Sequence, residues 1–208
     1  MTVKSEGAIV SGKRGIMTSL GDKLRSFGRS KDGVAAVEFA FVVPIMLSLY
    51  FGTMELSQGI EVNKKVGRAS SLVADLVTQQ AAVTRSEIVA IANIATATLQ
   101  PYKRSAGVVE LVGIQVSNET PPKARVTWSQ RVSGGVGSSF LTVGDIIVIP
   151  NELMIPNTFI VKGGLNIDYF PFITYQINST TNGKKGIAMG ERYYLRPRMS
   201  PVVVCPDC

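Results

Sequence analysis

The apolar positions along the chain change their period twice. From Val34 to Met54 they form a nearly unbroken run of 21 residues in which Glu38 is the only charge. At about 1.5 Å rise per residue, a helix of that length matches the ~30 Å hydrocarbon core of a bilayer, so one transmembrane helix over 34–54 is expected. Beyond it Val62, Val66, Ala69, Val73 and Leu76 recur at spacings of four and three. That is the helical period, and it predicts an amphipathic helix to about Thr78. One long helix, half in lipid and half amphipathic, fits this pattern; so does a membrane helix followed by a separate core helix. A second helix is expected from Thr84, because Thr84-Arg85-Ser86-Glu87 has the capping-box form. Ile88, Ile91, Ala95 and Leu99 line one of its faces, and Pro101 ends it.

After Pro101 the period falls to two. Val109–Ser117 and Lys123–Ser129 alternate apolar and polar, with Ala124, Val126 and Trp128 on one face, and Asn118–Pro122 supplies the hairpin turn. Further strands are predicted at Asp145–Ile149, Phe159–Val161, Leu165–Phe170, Ile173–Ile177 and Arg192–Leu195. Ser133–Ser139, "SGGVGSS", reads as a flexible loop. Helices first and strands afterwards indicate an α+β fold with an antiparallel sheet packed on the helices. The expected organisation is a basic leader over 1–33, the transmembrane helix over 34–54, extracytoplasmic helices over 55–100 and a β-rich domain over 101–208. Trp128 reads as core. Tyr169, Phe170, Phe172 and Tyr175 around Pro171 read either as sheet core with an edge proline or as a sugar-binding or subunit-docking surface.

Composition narrows the function. The chain has no histidine, which removes Ser-His-Asp and Cys-His nucleophile activation and the commonest metal ligand. No phosphate-cradling glycine loop has the required spacing. An enzyme is not expected, nor a cofactor or a metal. The net charge of +7 includes fifteen bases against nine acids over residues 64–208, with no basic run interleaved with aromatics. Nucleic acid is therefore not an expected partner. Seven bases precede the apolar run, four of them between Lys23 and Lys31, and the positive-inside rule puts the N-terminus in the cytoplasm. Ile16, Leu20, Leu24 and Phe27 at helical spacing among these bases predict an amphipathic helix on anionic lipid. Met17 is an alternative start to Met1.

An acidic residue inside a span costs about 2.5–3.5 kcal/mol on insertion scales, more than a passive anchor should carry. Glu38 stands five positions after Gly33, which is itself preceded by the basic leader. The segment "GVAAVEFAFVVPIMLSLYFGTMEL", Gly33 to Leu56, resembles the N-terminal segment of TadE/TadG-like proteins, minor pseudopilins of the tight-adherence (Flp, type IVc) pilus system. The resemblance implies a pilin-like head, cleavage between Gly33 and Val34 by a prepilin peptidase, and a mature chain whose fifth residue is Glu38. That glutamate would pair with the new terminal amine of a neighbouring subunit, each charge offsetting the other's desolvation. Pro44 matches a mid-helix proline of the family and should loosen or kink the span. Phe39 is a departure, since Flp-type pilins carry tyrosine after the glutamate. The implied partners are the peptidase, other pilins and pseudopilins, Tad inner-membrane assembly proteins and membrane lipid. The implied location is the inner membrane, single-pass, with the C-terminal domain in the periplasm.

The end of the chain, "RYYLRPRMSPVVVCPDC", also resembles the family, many of whose members close with a Tyr-rich strand, an Arg-Pro-Arg and a terminal cysteine. Cys205 and Cys208 form a C-x-x-C, which as a pattern fits a redox pair, half of a zinc site, an intramolecular disulfide or a bridge between subunits. A C-terminus outside the cytoplasm favours the disulfide. A single-pass envelope binding protein with an uncleaved signal anchor is the alternative reading of the whole chain.

Overall fold

The helical period beyond the apolar run is a true continuation of it. In the computed structural model, which describes residues 33–102, 105–172 and 186–208, one helix, α1, covers Val34–Thr78. The described residues fall into two compact units that divide between Thr53 and Met54. In the first, every side chain from Val34 to Thr53 except Val43 is exposed. In the second, Val62, Val66, Ala69 and Val73 of α1 are buried as the periodicity predicts; Ser70, Ala74 and Val77 join them, and Leu76 is half-buried at the margin.

Helix α2, Arg85–Ala97, starts where the capping box places it. The Thr84 amide donates to Glu87 Oε2 at 2.7 Å, and the Glu87 amide donates back to Thr84 Oγ1 at 3.3 Å. Two of the amides left over at a helix start are thereby satisfied. Its predicted apolar face, Ile88, Ile91, Ala95 and Leu99, is buried throughout.

Five strands follow: β1 Val108–Val116, β2 Ala124–Ser133, β3 Val136–Ser138, β4 Phe159–Tyr169 and β5 Ile187–Leu195. They form one antiparallel sheet in the order β3-β2-β1-β4-β5. The architecture is therefore α+β, as expected, but several strands differ from the sequence reading. The stretches Phe159–Val161 and Leu165–Phe170 belong to a single strand, β4, which continues through Gly163 and Gly164. "SGGVGSS" is no open loop: Gly134 and Gly135, at φ of 57° and 80°, make the tight turn from β2 to β3. The alternation at Asp145–Ile149 yields a short antiparallel pairing with β2 and no full strand: the Val126 amide donates to the Asp145 carbonyl at 2.9 Å and the Ile147 amide to the Ala124 carbonyl at 3.0 Å, about the single bridge Arg125 to Ile146. The leader over 1–32, the segment Ile173–Ile177 and Tyr175 lie outside the described residues.

Both faces of the sheet are covered. On one, Leu111, Trp128, Val161 and Leu165 pack against α1 and α2. On the other, Val112, Ile114, Val126 and Ile160 lie under the connection from β3 to β4, which contributes Phe140, Leu141, Ile147 and Ile149. Ser129 fastens that connection by accepting the amides of Leu141 at 2.9 Å and Phe140 at 3.3 Å. Strand β2 bulges at Thr127, the extra residue between Val126 and Trp128 opposite Ile114 and Gly113, so the single face expected for Ala124, Val126 and Trp128 divides: Ala124 and Val126 lie on one side of the sheet and Trp128 on the other. The Trp128 indole lies over Gly113, and any Cβ there would collide with it.

Helix α1 runs antiparallel to β4. Gly59 sits against Tyr169, Ser70 Oγ accepts the Leu165 amide at 3.0 Å, and Ala74 abuts Gly163. Fifteen helical residues at about 1.5 Å each and six strand residues at about 3.3 Å each both span roughly 20 Å, so the contacts keep step along the whole interface. A Cβ on Gly163 would meet the Ala74 side chain at 2.8 Å and its Cα at 3.0 Å. Neither is the yielding end of a flexible side chain. Gly163→Ala is expected to destabilise the folded unit by about 1–3 kcal/mol through overpacking; thermal unfolding of the detergent-solubilised full chain, followed at Trp128, measures it.

Candidate functional site

The residues singled out in the sequence fall in two regions. Gly33 precedes α1, and Val34, Glu38, Phe39 and Pro44 lie within its apolar part. Val34 and Glu38 are one helical turn apart and share a face. Glu38 is exposed, Val34 is 53% exposed and Phe39 69% exposed. Outward-facing Val, Phe, Ile, Leu and Met at this density are unfavourable in water and suit lipid. Among the described residues α1 is the one helix long and apolar enough to cross a membrane, and it fits a single-pass anchor. Pro44 lacks an amide, so the carbonyl of Ala40 loses its helical donor. The helix nonetheless continues through Pro44, and the Ser48 hydroxyl donates to the Pro44 carbonyl at 2.7 Å.

A second carboxylate, which sequence patterning did not single out, lies just past the apolar run. Glu55 is half-buried and accepts the Tyr169 hydroxyl at 2.7 Å and the Phe172 amide at 2.9 Å. The Tyr102 ring stacks on Tyr169 at 5.4 Å, and its hydroxyl donates to the Asp168 carbonyl while accepting the Phe170 amide. Glu55 thus closes a polar and aromatic network at the end of β4. A glutamate after an apolar stretch reads simply as the edge of a span; its partners are 114 and 117 residues away, and no local signal announces them.

The C-terminal tail is the other region. Cys205 and Cys208 are joined by a disulfide, with Cα atoms 5.5 Å apart. Within that ring Asp207 accepts the Arg85 amide at 2.9 Å, placing a carboxylate at the positive end of α2, and its carbonyl accepts from the Arg85 guanidinium at 2.8 Å. Just before the ring Val203 is fully buried, and its carbonyl accepts the Trp128 indole N–H at 2.8 Å. Trp128 is core, and it also ties down the tail.

Charge elsewhere is paired locally. Hydrogen bonds from Lys123 and then Arg125 hold the Glu119 carboxyl below its ordinary range at the β1–β2 turn. Burial, and secondarily Arg192, pushes the Lys162 ammonium down on the outer face of β4. A groove of about 620 Å³ is lined by uncharged residues such as Ala92, Asn93, Thr96, Tyr102 and Ser105. A second, about 460 Å³, runs between α1 and β5 and is lined by Lys64, Arg68, Glu191 and Tyr193 among others.

These features define an α+β protein carried on one apolar helix. Residues 33–75 match the family model described as TadE-like protein, so the resemblance read from Gly33 onward is shown for this segment, and it extends through most of α1. No curated protein and no solved structure matches the chain.

Two outcomes follow from the contacts. Glu55→Ala removes the acceptor of the Tyr169 and Phe172 bonds and should cost about 1–3 kcal/mol. Tyr169→Phe should lose part of the same energy, and the double variant should fall short of the sum in thermal unfolding. Cys205→Ser with Cys208→Ser should lower stability by about 2 kcal/mol, the closure entropy of a four-residue loop. Dithiothreitol should reproduce that drop in the native chain and leave the variant unchanged.

Proposed function

We propose that the protein is a minor pseudopilin or assembly component of a Tad/Flp-type pilus and secretion machine, acting through protein–protein assembly and not as an enzyme. The observation that carries this reading is the TadE-like match over residues 33–75, which begins at Gly33 and includes Glu38 one turn beyond Val34. In this reading a prepilin peptidase cuts between Gly33 and Val34 on the cytoplasmic side of the inner membrane. Val34 then carries a free amine, and Glu38, exposed on the helix, is the acid that pairs with such an amine on a neighbouring subunit. The folded unit stands in the periplasm, where a Cys205–Cys208 disulfide is chemically at home. Its partners are other pilins or pseudopilins and the Tad inner-membrane assembly proteins.

N-terminal sequencing of the membrane-extracted protein tests the processing step: a mature chain beginning at Val34 is expected, and an intact leader in cells with active prepilin peptidase contradicts it. Glu38→Ala should leave the folded unit unaltered while abolishing pilus assembly and recovery of the complex. Normal assembly by that variant would remove the central residue of the mechanism.

A further inference from the structure

The two edges of the sheet are built differently. One edge, β3, is three residues long, and Arg85 and Val89 of α2 lie against its Gly137. The other, β5, runs for nine residues in unshifted register with β4 and contains no proline. Among the described residues its backbone hydrogen bonds go to β4 alone. A long, regular edge of this kind offers a row of amides and carbonyls to another strand.

The half of β5 from Glu191 to Leu195 pairs with Val161–Leu165, at the start of β4, and a groove runs beside it. Glu191, Tyr193 and Leu195, alternate side chains of β5, form its floor, and Lys64, Arg68 and Ser71 of α1 form its wall. All six belong to the unit from Met54 onward. Helix α1 and β5 both run antiparallel to β4 and so run the same way, with Gly67 facing Glu191 and Tyr193. Lys65 is paired with Glu61 and Arg198 with Asp75, whereas Lys64 and Arg68 are exposed and have no ion-pair partner among the described residues. Glu191 sets one negative charge against these two.

Their spacing selects an occupant. Four helical residues at about 1.5 Å each put the two cations about 6 Å apart along α1, and same-side residues of a strand are about 6.6 Å apart. A strand added to β5 carries its alternate side chains over the groove, so carboxylates at its positions i and i+2 keep step with Lys64 and Arg68. The fifteen acids of this chain include no two that stand two positions apart, so a second copy does not supply that pair.

We propose that the β5 edge over Glu191–Leu195 receives an extended acidic segment of a different protein as a further strand, with Lys64 and Arg68 pairing carboxylates two residues apart. Main-chain hydrogen bonds give such an addition its affinity, and the flanking side chains its specificity. This surface is separate from Glu38 and independent of cleavage after Gly33.

The test uses the full chain in a neutral detergent and the peptide fluorescein-TVEVEVT-amide, with binding read by fluorescence anisotropy. Binding should weaken about tenfold when glutamine replaces the two glutamates, and again when Lys64→Ala and Arg68→Ala are combined in the protein. Lys64→Glu with Arg68→Glu should transfer the preference to TVKVKVT; both side chains are exposed, and an unchanged thermal unfolding curve checks that the variant folds. Of two TVEVEVT peptides, one N-methylated on its valines and one on its glutamates, one should lose binding and the other keep it, since a strand turns alternate amides towards its neighbour. Equal binding of the glutamate and glutamine peptides overturns the proposal, as does binding retained by both methylated peptides, which marks the groove as a general anion surface. If sedimentation shows the native chain dimerising, with the dimer lost in the Lys64→Glu, Arg68→Glu variant and no peptide bound, the occupant is a second copy and the proposal fails.

Discussion

The close approach of α1 to β4 is the constraint on which the rest of the structure depends. Ala74 meets Gly163 with no room for another methyl, and Ser70 takes up a strand amide that would otherwise be disturbed by the helix lying across it. Small residues make this possible: a helix face of Gly59, Val62, Val66, Ala69, Ser70 and Ala74 lets the helix axis come near the sheet along some 20 Å of shared length. Bulkier side chains would lift α1 away, and the core between the helices and the sheet would lose its packing. The residues before Met54 are free of that demand. They are apolar and exposed and fit an apolar surrounding instead, so one continuous helix carries two surface chemistries.

The chain end is held by the same core. Val203 is buried, its carbonyl takes the Trp128 indole N–H, and the Val204 carbonyl accepts the Val83 amide at 2.9 Å. Gly113 is the residue that makes space for that indole. The disulfide ring then sets Asp207 against the start of α2. Beyond the closure entropy of its four-residue ring, the disulfide has a positional value: it holds a carboxylate where the helix dipole and the leading amide both favour it. Tail, second helix and sheet become one folded unit as a result.

Two glutamates near the same span show how placement decides role. Glu38 lies inside the apolar run and is exposed there, a position that in the proposed function is occupied by the acid that pairs with a neighbouring subunit's amine. Glu55 follows the run and spends its acceptors within its own chain, on Tyr169 and Phe172. The first carries the proposed assembly role, the second the internal geometry of the unit. Residue type alone does not separate them.

Much of this was legible in the sequence. The apolar run, the four-and-three spacing to Thr78, the Thr84–Glu87 capping box and the existence of β1 and β2 all arise from patterns within one element, where periodicity records burial; the bulge at Thr127, which turns Trp128 to the face opposite Ala124 and Val126, leaves no such mark. The Gly33–Glu38–Pro44 pattern was legible for the same reason, being confined to a few helical turns, and it marked the segment that matches the TadE-like family. The unbroken course of β4 through two glycines was not, since glycine weakens a strand locally and is kept at 163 only because α1 presses on it. The course of the β3–β4 connection was equally hidden, because its alternation over 145–149 yields only a short backbone pairing with β2 while its apolar side chains pack on the sheet face. Glu55, Asp207 and Trp128 acquire their roles from partners far along the chain. Sequence determined the elements and the membrane-facing segment by itself, because local hydrophobic burial leaves a period behind. Tertiary structure alone decided which polar groups meet, because a hydrogen bond between distant residues leaves none.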